Sequence, residues 1–217
     1  MLTVGPLQEN CYLVRVSADA GTAVMVDPGE EAERLIAAVE GAGVALEAIL
    51  LTHCHFDHIG AVAPVARATG AQVWCPEIET DLLTDLMTYV PYPDLGPYES
   101  YEPEHTVAGG EVLELAGMQI EVLFTPGHSP GHVTYAPSAA NAIFSGDVLF
   151  QSSIGRTDLP GGDYPTILRS LARVCLTLPD ETVVLSGHGP QTTIGAERRT
   201  NPFLTGLTPQ SGPRRGL

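Results

Sequence analysis

The segment Thr52-His53-Cys54-His55-Phe56-Asp57-His58-Ile59-Gly60 packs three imidazoles and one carboxylate into six positions, directly after the apolar run Ala48-Ile49-Leu50-Leu51. The run reads as a buried strand, and a tight turn at a strand end can aim several side chains at one point outside the sheet. Four ligand-type groups aimed at one point repel or desolvate one another unless a cation sits between them. Imidazole together with carboxylate suits Zn²⁺, Fe²⁺ or Mn²⁺ rather than Ca²⁺ or Mg²⁺. A polar loop with scattered histidines would not reach this density of ligands.

The same pattern recurs further along the chain. His128 follows the strand-like Ile120-Glu121-Val122-Leu123-Phe124, Asp147 follows Ala142-Ile143-Phe144, and His188 follows Val183-Val184-Leu185. Each time an apolar stretch ends, a glycine precedes the ligand (Gly127, Gly146, Gly187), and one His or Asp appears. Glycine lets backbone approach closely and turn sharply, which leaves room for a metal and its water. A lone His or Asp after a strand is ordinarily a cap or turn residue. Recurrence at four strand ends points instead to a shared centre. His105, amid Glu102 and Glu104, and His132 read as ordinary residues and are assigned to no metal.

The string His53-x-His55-x-Asp57-His58, followed in order by His128, Asp147 and His188, resembles the metallo-β-lactamase superfamily over nearly the whole chain. Carried over position by position, the resemblance implies that His53, His55 and His128 hold a first metal, that Asp57, His58 and His188 hold a second, and that Asp147 bridges them. It implies two divalent ions, zinc above all, with iron or a mixed zinc/iron pair as alternatives. It also implies a four-layer αββα sandwich forming a single domain over residues 1–204, where pattern alone supports only an α/β class. The true β-lactamase branches lack an aspartate at the bridging place. Asp147 therefore argues against antibiotic hydrolysis as the main activity.

A narrower resemblance lies in Ser153-Ile154-Gly155-Arg156-Thr157-Asp158-Leu159-Pro160-Gly161-Gly162-Asp163, with Thr192-Thr193-Ile194-Gly195 and Thr200-Asn201-Pro202. These strings resemble the short bacterial proteins akin to glyoxalase II, the hydroxyacylglutathione hydrolases. The Gly-Arg-Thr-Asp string also resembles the persulfide dioxygenases, which use one iron in this fold, and it does not choose between the two. Two departures from full-length glyoxalase II leave the thiol open: Asp158 stands where a Tyr is usual, and Pro190 follows where another Tyr is usual.

The remaining composition narrows the options. At 217 residues with 44% hydrophobic content, the chain fits one sizeable domain. No apolar run approaches the roughly 20 residues needed to span a bilayer. The start, Met1-Leu2-Thr3-Val4-Gly5-Pro6, has no basic region or long apolar stretch, so no signal peptide is read and a cytoplasmic location is expected. Cys11, Cys54, Cys75 and Cys175 form no C-x-x-C and read as reduced and buried, with Cys54 a small filler between two ligands. The net charge of −16 argues against nucleic acid, and all ten basic residues are Arg, so lysine nucleophiles are excluded.

Periodicity predicts three short strands over residues 1–26 and helices over 30–41, 59–69, 82–89 and 164–176, the last capped by Asp163. It also predicts a short strand at 73–75 and a hairpin pairing 112–115 with 118–124. The tail from 205 to 217 is expected to be mobile. Tyr89, Tyr92, Tyr98 and Tyr101 suit either a wall over the metal site or an extended loop pinned by its rings.

The activity expected from these residues is hydrolysis of small-thiol thioesters such as S-lactoylglutathione. Two metals about 3.5–4 Å apart would lower the pKa of a shared water towards about 7, and Asp57 would be the catalytic carboxylate that aims it. Arg156 is the candidate for a substrate carboxylate, with pairing to Asp158 or Asp163 as its structural alternative. The rivals are a mononuclear-iron persulfide dioxygenase and a non-catalytic metal-binding or redox scaffold. The expected partner is a small thioester, with neither nucleic acid nor membrane, and the oligomeric state stays open.

Overall fold

The protein is described here by a computed structural model covering residues 1–92 and 94–208. The chain opens as a meander of β1 (Leu2–Val4), β2 (Glu9–Val14) and β3 (Thr22–Val26). It continues through α1 (Ala32–Ala42), β4 (Ala45–Leu50), α2 (Phe56–Ile59), α3 (Val62–Thr69), β5 (Gln72–Pro76), α4 (Thr80–Thr84), α5 (Leu86–Tyr89) and β6 (His105–Val107). The second half comprises β7 (Val112–Leu115), β8 (Met118–Phe124), β9 (Val133–Pro137), β10 (Ala142–Gly146), the ribbon β11 (Leu149–Phe150) and β12 (Ser153–Ile154), α6 (Tyr164–Cys175), β13 (Val183–Ser186), β14 (Thr192–Thr193) and α7 (Ile194–Thr200).

Strands β1 to β6 form one six-stranded sheet in sequence order, and a second has the order β14-β13-β10-β9-β8-β7. The first sheet is antiparallel up to β3 and parallel from β3 to β6. In the second, β10 and β13 run parallel and their outer neighbours antiparallel. Three apolar clusters define the layers. Val24, Val26 and Leu50 of the first sheet meet Ile120, Val122, Tyr135 and Phe144 of the second. Met25 and Ile49 point the other way, towards Leu35 and Val39 of α1 and Val62 and Val65 of α3. Ile143 and Val184 pack on Ile167, Leu171 and Val174 of α6. The layers therefore run helix, sheet, sheet, helix. A strand buried on both faces must be apolar at consecutive positions, which is why β4 and β13 read as continuous apolar runs.

Element boundaries depart from the periodicity in three places. The first helix starts at Ala32, not residue 30, because Glu31 sits in the left-handed region at φ 55°. The expected helix over 59–69 is two pieces, α2 beginning three residues earlier and α3 following a break. The N–H of Ala61 donates to the Pro28 carbonyl at 3.0 Å instead of continuing a helical ladder. This break places Asp57 and His58 on a short helix of their own. The helix expected over 82–89 is likewise divided at Asp85, whose φ and ψ of −133° and 50° are not helical, and Leu86 N–H donates to Ser100 Oγ at 3.1 Å. The hairpin forms as expected: Ala116 (φ 48°) and Gly117 (φ 72°) supply the two left-handed positions of its turn. Asp163 caps α6 by accepting from Thr166 N–H at 2.8 Å. The tail expected to be mobile lies, from residue 209 on, outside the described residues. Among the described residues no helix is long and apolar enough to cross a membrane.

The layered packing makes the inner face of α6 the main support of the second sheet. Leu171 is fully buried, so Leu171→Ala is expected to cost about 2–5 kcal/mol in denaturant unfolding. Val112, 59% exposed, should tolerate Ala within about 0.5 kcal/mol.

Candidate metal centre

The four predicted ligand stretches lie at one end of the two sheets. His53 follows β4 and His55 lies two residues on, while α2 presents Asp57 and His58. His128 follows β8, Asp147 follows β10 and His188 follows β13. Two glycines make the approach possible. A Cβ on Gly127 (φ 128°) would collide with the backbone of Ile167, so α6 packs directly against the turn carrying His128. A Cβ on Gly187 would strike Asp147 Oδ1 and come within 2.6 Å of His58 Cε1.

All seven predicted ligands are brought together. His55 Nδ1 lies 3.1 Å from His53 Nε2 and 2.9 Å from His128 Nε2. One ligand atom from each of Asp57, His58 and His188 forms a second group, with all three atoms within 4.8 Å of one another. Asp147 sits between the groups. Its Oδ1 is 3.5 Å from His58 Nε2, and its Oδ2 is 3.5 Å from His128 Nε2 and 3.6 Å from His188 Nε2.

Hydrogen bonding behind the rings fixes which nitrogens face inward. His128 Nδ1 donates to the Arg156 carbonyl at 2.8 Å, leaving Nε2 as a lone pair. Thr52 Oγ1 donates to Asp27 Oδ2 at 2.6 Å and so accepts from His53 Nδ1 at 3.1 Å. His58 Nδ1 donates to Asp27 at 3.1 Å and His188 Nδ1 to the Leu7 carbonyl at 3.1 Å. The inward Nε2 atoms of His53 and His128 thus both present lone pairs to His55 Nδ1, which carries at most one proton. Hydrogen bonds alone cannot satisfy that trio. His58 Nε2 and Asp147 Oδ1 are buried with no hydrogen-bond partner, which buried polar atoms seldom are. Divalent cations meet both deficits, and the imidazole and carboxylate donors suit zinc or iron.

The electrostatics agree. Burial, reinforced by the other imidazoles, pushes His53 well below the ordinary histidine range, and burial with His128 and His58 takes His55 down to about 4. Both rings are therefore neutral ligands at pH 7. Burial would raise the Asp147 and Asp57 carboxyls, but His58 and His188 around them hold both below the usual range. Burial opposes the charge on His58 and His188, yet the same two carboxylates raise both imidazoles above it.

Several residues that sequence reading passed over shape the site. Asp27 accepts from Thr52 N–H at 2.7 Å as well as from Thr52 Oγ1 and His58. It ends β3 in Val26-Asp27-Pro28-Gly29, the same strand-then-ligand signature found elsewhere, and that signal was available. Glu79 is buried and accepts from Cys54 N–H (2.7 Å), Ser129 Oγ (2.5 Å) and Gly131 N–H (2.6 Å). It ties the turn bearing His53 and His55 to the turn bearing His128, and nothing local in the sequence marks it. His132 is no ligand, as read: Nε2 accepts from Asp147 N–H at 3.0 Å, so Nδ1 donates to Thr125 Oγ1 at 2.9 Å. His105 stacks on Trp74, away from the centre. Cys54 packs in the core with its Sγ 3.4 Å from that of Cys75.

The centre opens into a cavity of about 610 Å³ whose walls include Leu7, Phe56, Leu82, Tyr89, Tyr92, Phe150 and Arg156. The tyrosines divide: Tyr89 and Tyr92 form wall, while Tyr98 bonds Glu30 and Tyr101 bonds Glu104. Arg156 is held by Asp158 through two bonds, Nε to Oδ1 at 2.7 Å and Nη2 to Oδ2 at 2.8 Å.

A sandwich of this topology with His and Asp clusters at one end defines a class of metal-dependent enzymes. The chain belongs to the metallo-beta-lactamase superfamily, whose family model matches residues 4–188. It is 39% identical to the hydroxyacylglutathione hydrolase GloC of Haemophilus influenzae, covering 94% of this chain and 96% of that protein. It is 41% identical to the probable metallo-hydrolase YqgX of Bacillus subtilis, covering 95% and 97%. Among solved structures it resembles the BLEG-1 B3 metallo-beta-lactamase (TM-score 0.87, 43% identity, covering 94% and 98%). It also resembles a di-iron-bound form of TTHA1623 (TM-score 0.74, 42% identity, covering 94% and 98%). A more distant likeness is to ETHE1 from Myxococcus xanthus (TM-score 0.74, 28% identity, covering 93% and 81%).

Two outcomes follow from this arrangement. Glu79→Ala is expected to weaken divalent-ion affinity by about 10–100-fold in competition with a chelator, because two ligand-bearing turns lose their shared acceptor. The imidazoles of His58 and His188, raised in the metal-free protein, must give up protons to bind an ion. Affinity measured by equilibrium dialysis should therefore rise with pH, by about ten-fold per pH unit for each proton released.

Proposed function

We propose that the protein hydrolyses thioesters of small thiols, of the S-lactoylglutathione type, to a hydroxy acid and a free thiol. One observation carries the reading: seven ligand-type side chains converge, in two groups of three with Asp147 between them, at the floor of a largely apolar cavity. Bound as a pair, two divalent ions (zinc, iron or one of each) would supply an acidified water and an electrophile for the acyl oxygen.

The chain's own residues do the rest. Asp57 stays ionised, and the oxygen not engaged by His188 is available to accept a hydrogen bond from the attacking water and aim it. His132 accepts from the Asp147 backbone N–H and so holds the turn from which the Asp147 carboxylate projects. The apolar wall excludes competing water and strengthens charge interactions at the floor. Of the described residues lining the cavity, none outside the cluster of His and Asp side chains is a carboxylic acid or an imidazole. A thiol, with a pKa of about 8.5, leaves without protonation by such a group, whereas an amine would need it. The kinship with hydroxyacylglutathione hydrolase and with a probable metallo-hydrolase supports this reading.

Oxidation of a persulfide at a single iron would need only part of this set, and the Asp57, His58 and His188 group would then have no task. Elemental analysis run beside three assays separates the possibilities: S-lactoylglutathione cleavage, oxygen uptake with a glutathione persulfide, and cephalosporin hydrolysis. Two metals per chain with thioester cleavage are expected. One iron with oxygen uptake, or a cephalosporin turned over faster than any thioester, would overturn the proposal. Asp57→Asn should lower kcat by about 10²–10⁴-fold while the protein still holds metal at the first set.

A further inference from the structure

Beyond the metal ligands, the cavity wall carries almost no charge. Among the described residues lining it, the one other ionic side chain is Arg156. The chain has no Lys anywhere, and the remaining described arginines lie outside this cavity. Arg156 itself is not free. Asp158 takes both Nε and Nη2, at 2.7 and 2.8 Å, in the two-pronged geometry that a substrate carboxylate would want.

That pairing has a consequence for the thiol half of a substrate. Among the described residues of the wall, a thiol bearing carboxylates meets no cationic side chain except a guanidinium already matched. Exposed ion pairs are weak and can open. Opening this one, however, uncovers the Asp158 carboxylate beside the incoming anion, so the cation gained is offset by the anion exposed. Like charges brought together in recognition disfavour a partner strongly. The chain's net charge of −16 adds a field of the same sign. An uncharged thiol meets none of these penalties and finds an apolar surface in Leu7, Phe56, Leu82 and Tyr92.

We propose that the preferred substrate carries an uncharged thiol half, and that Asp158 determines this specificity by occupying Arg156, the single cation among the described residues of the cavity wall. The inference rests on the thioester-hydrolase reading and narrows it.

The test uses the full, metal-loaded chain and two substrates with the same acyl group: S-lactoyl-N-acetylglutathione, a dianion, and its uncharged dimethyl ester, with Asp158→Asn and ionic strength separating the effect of charge from that of the two added methyl groups. The diester is expected to show kcat/KM at least about ten-fold higher. The difference should lie in KM, because the reacting acyl group is the same. Asp158→Asn, an exposed position, should narrow the gap by improving the dianion, and raised ionic strength should narrow it in the native protein. A dianion cleaved as well as the diester, or a ratio indifferent to Asp158→Asn, overturns this inference and leaves the hydrolase reading standing. Cleavage of neither compound overturns both.

Discussion

The structure is organised around a repulsion. The His55 Nδ1 atom lies within about 3 Å of both His53 Nε2 and His128 Nε2, whose lone pairs converge on it, and two carboxylates stand beside the trio. No local conformation would assemble such a group without a cation, because burial penalises every unpaired polar atom in it. It persists only because interiors are close-packed and stiff. The β-sandwich provides that stiffness: His53, His128, Asp147 and His188 each follow a strand with a neighbour on either side, and α2, which carries Asp57 and His58, follows one of the same strands.

Neither half of the chain builds the centre alone. His53, His55, Asp57 and His58 belong to the first sheet's connections, and His128, Asp147 and His188 to the second's. Hydrogen bonds across the sandwich keep the two in register. Asn10 Nδ2 donates to the Ser186 and Gly189 carbonyls and Tyr12 OH to Ser186, holding the His188 turn from β2. Tyr135 OH donates to the Leu51 carbonyl at 2.9 Å, holding the His53 turn from β9. Glu79 adds the link between the turns themselves. The cavity walls are then free to be apolar, since the polar work is done behind and below the ligands. An ion bound to both halves would stabilise the folded state by mass action as well as supplying chemistry.

The ligand set was legible because metal ligation demands particular residue types next to strand ends, and strands buried on both faces leave unbroken apolar runs. Asp27 carried the same signature and could have been read. Glu79 could not: its three donors come from Cys54, Ser129 and Gly131, and its distance in sequence from all three hides the relation. The helix breaks after Ile59 and at Asp85 were hidden for the same reason. An N–H diverted to Pro28 and another taken by Ser100 Oγ are tertiary events that override local periodicity.

The order and identity of the candidate ligands, the α/β class and the absence of any lysine were thus legible in the amino-acid sequence alone, since each depends on residue type and short-range spacing. Which imidazole nitrogen faces the centre, which acidic groups stand behind the ligands, and whether Arg156 is free or matched by Asp158 were decided only by the tertiary structure. Those properties depend on distances of a few ångströms between segments far apart along the chain, and only the packing of the two sheets sets them.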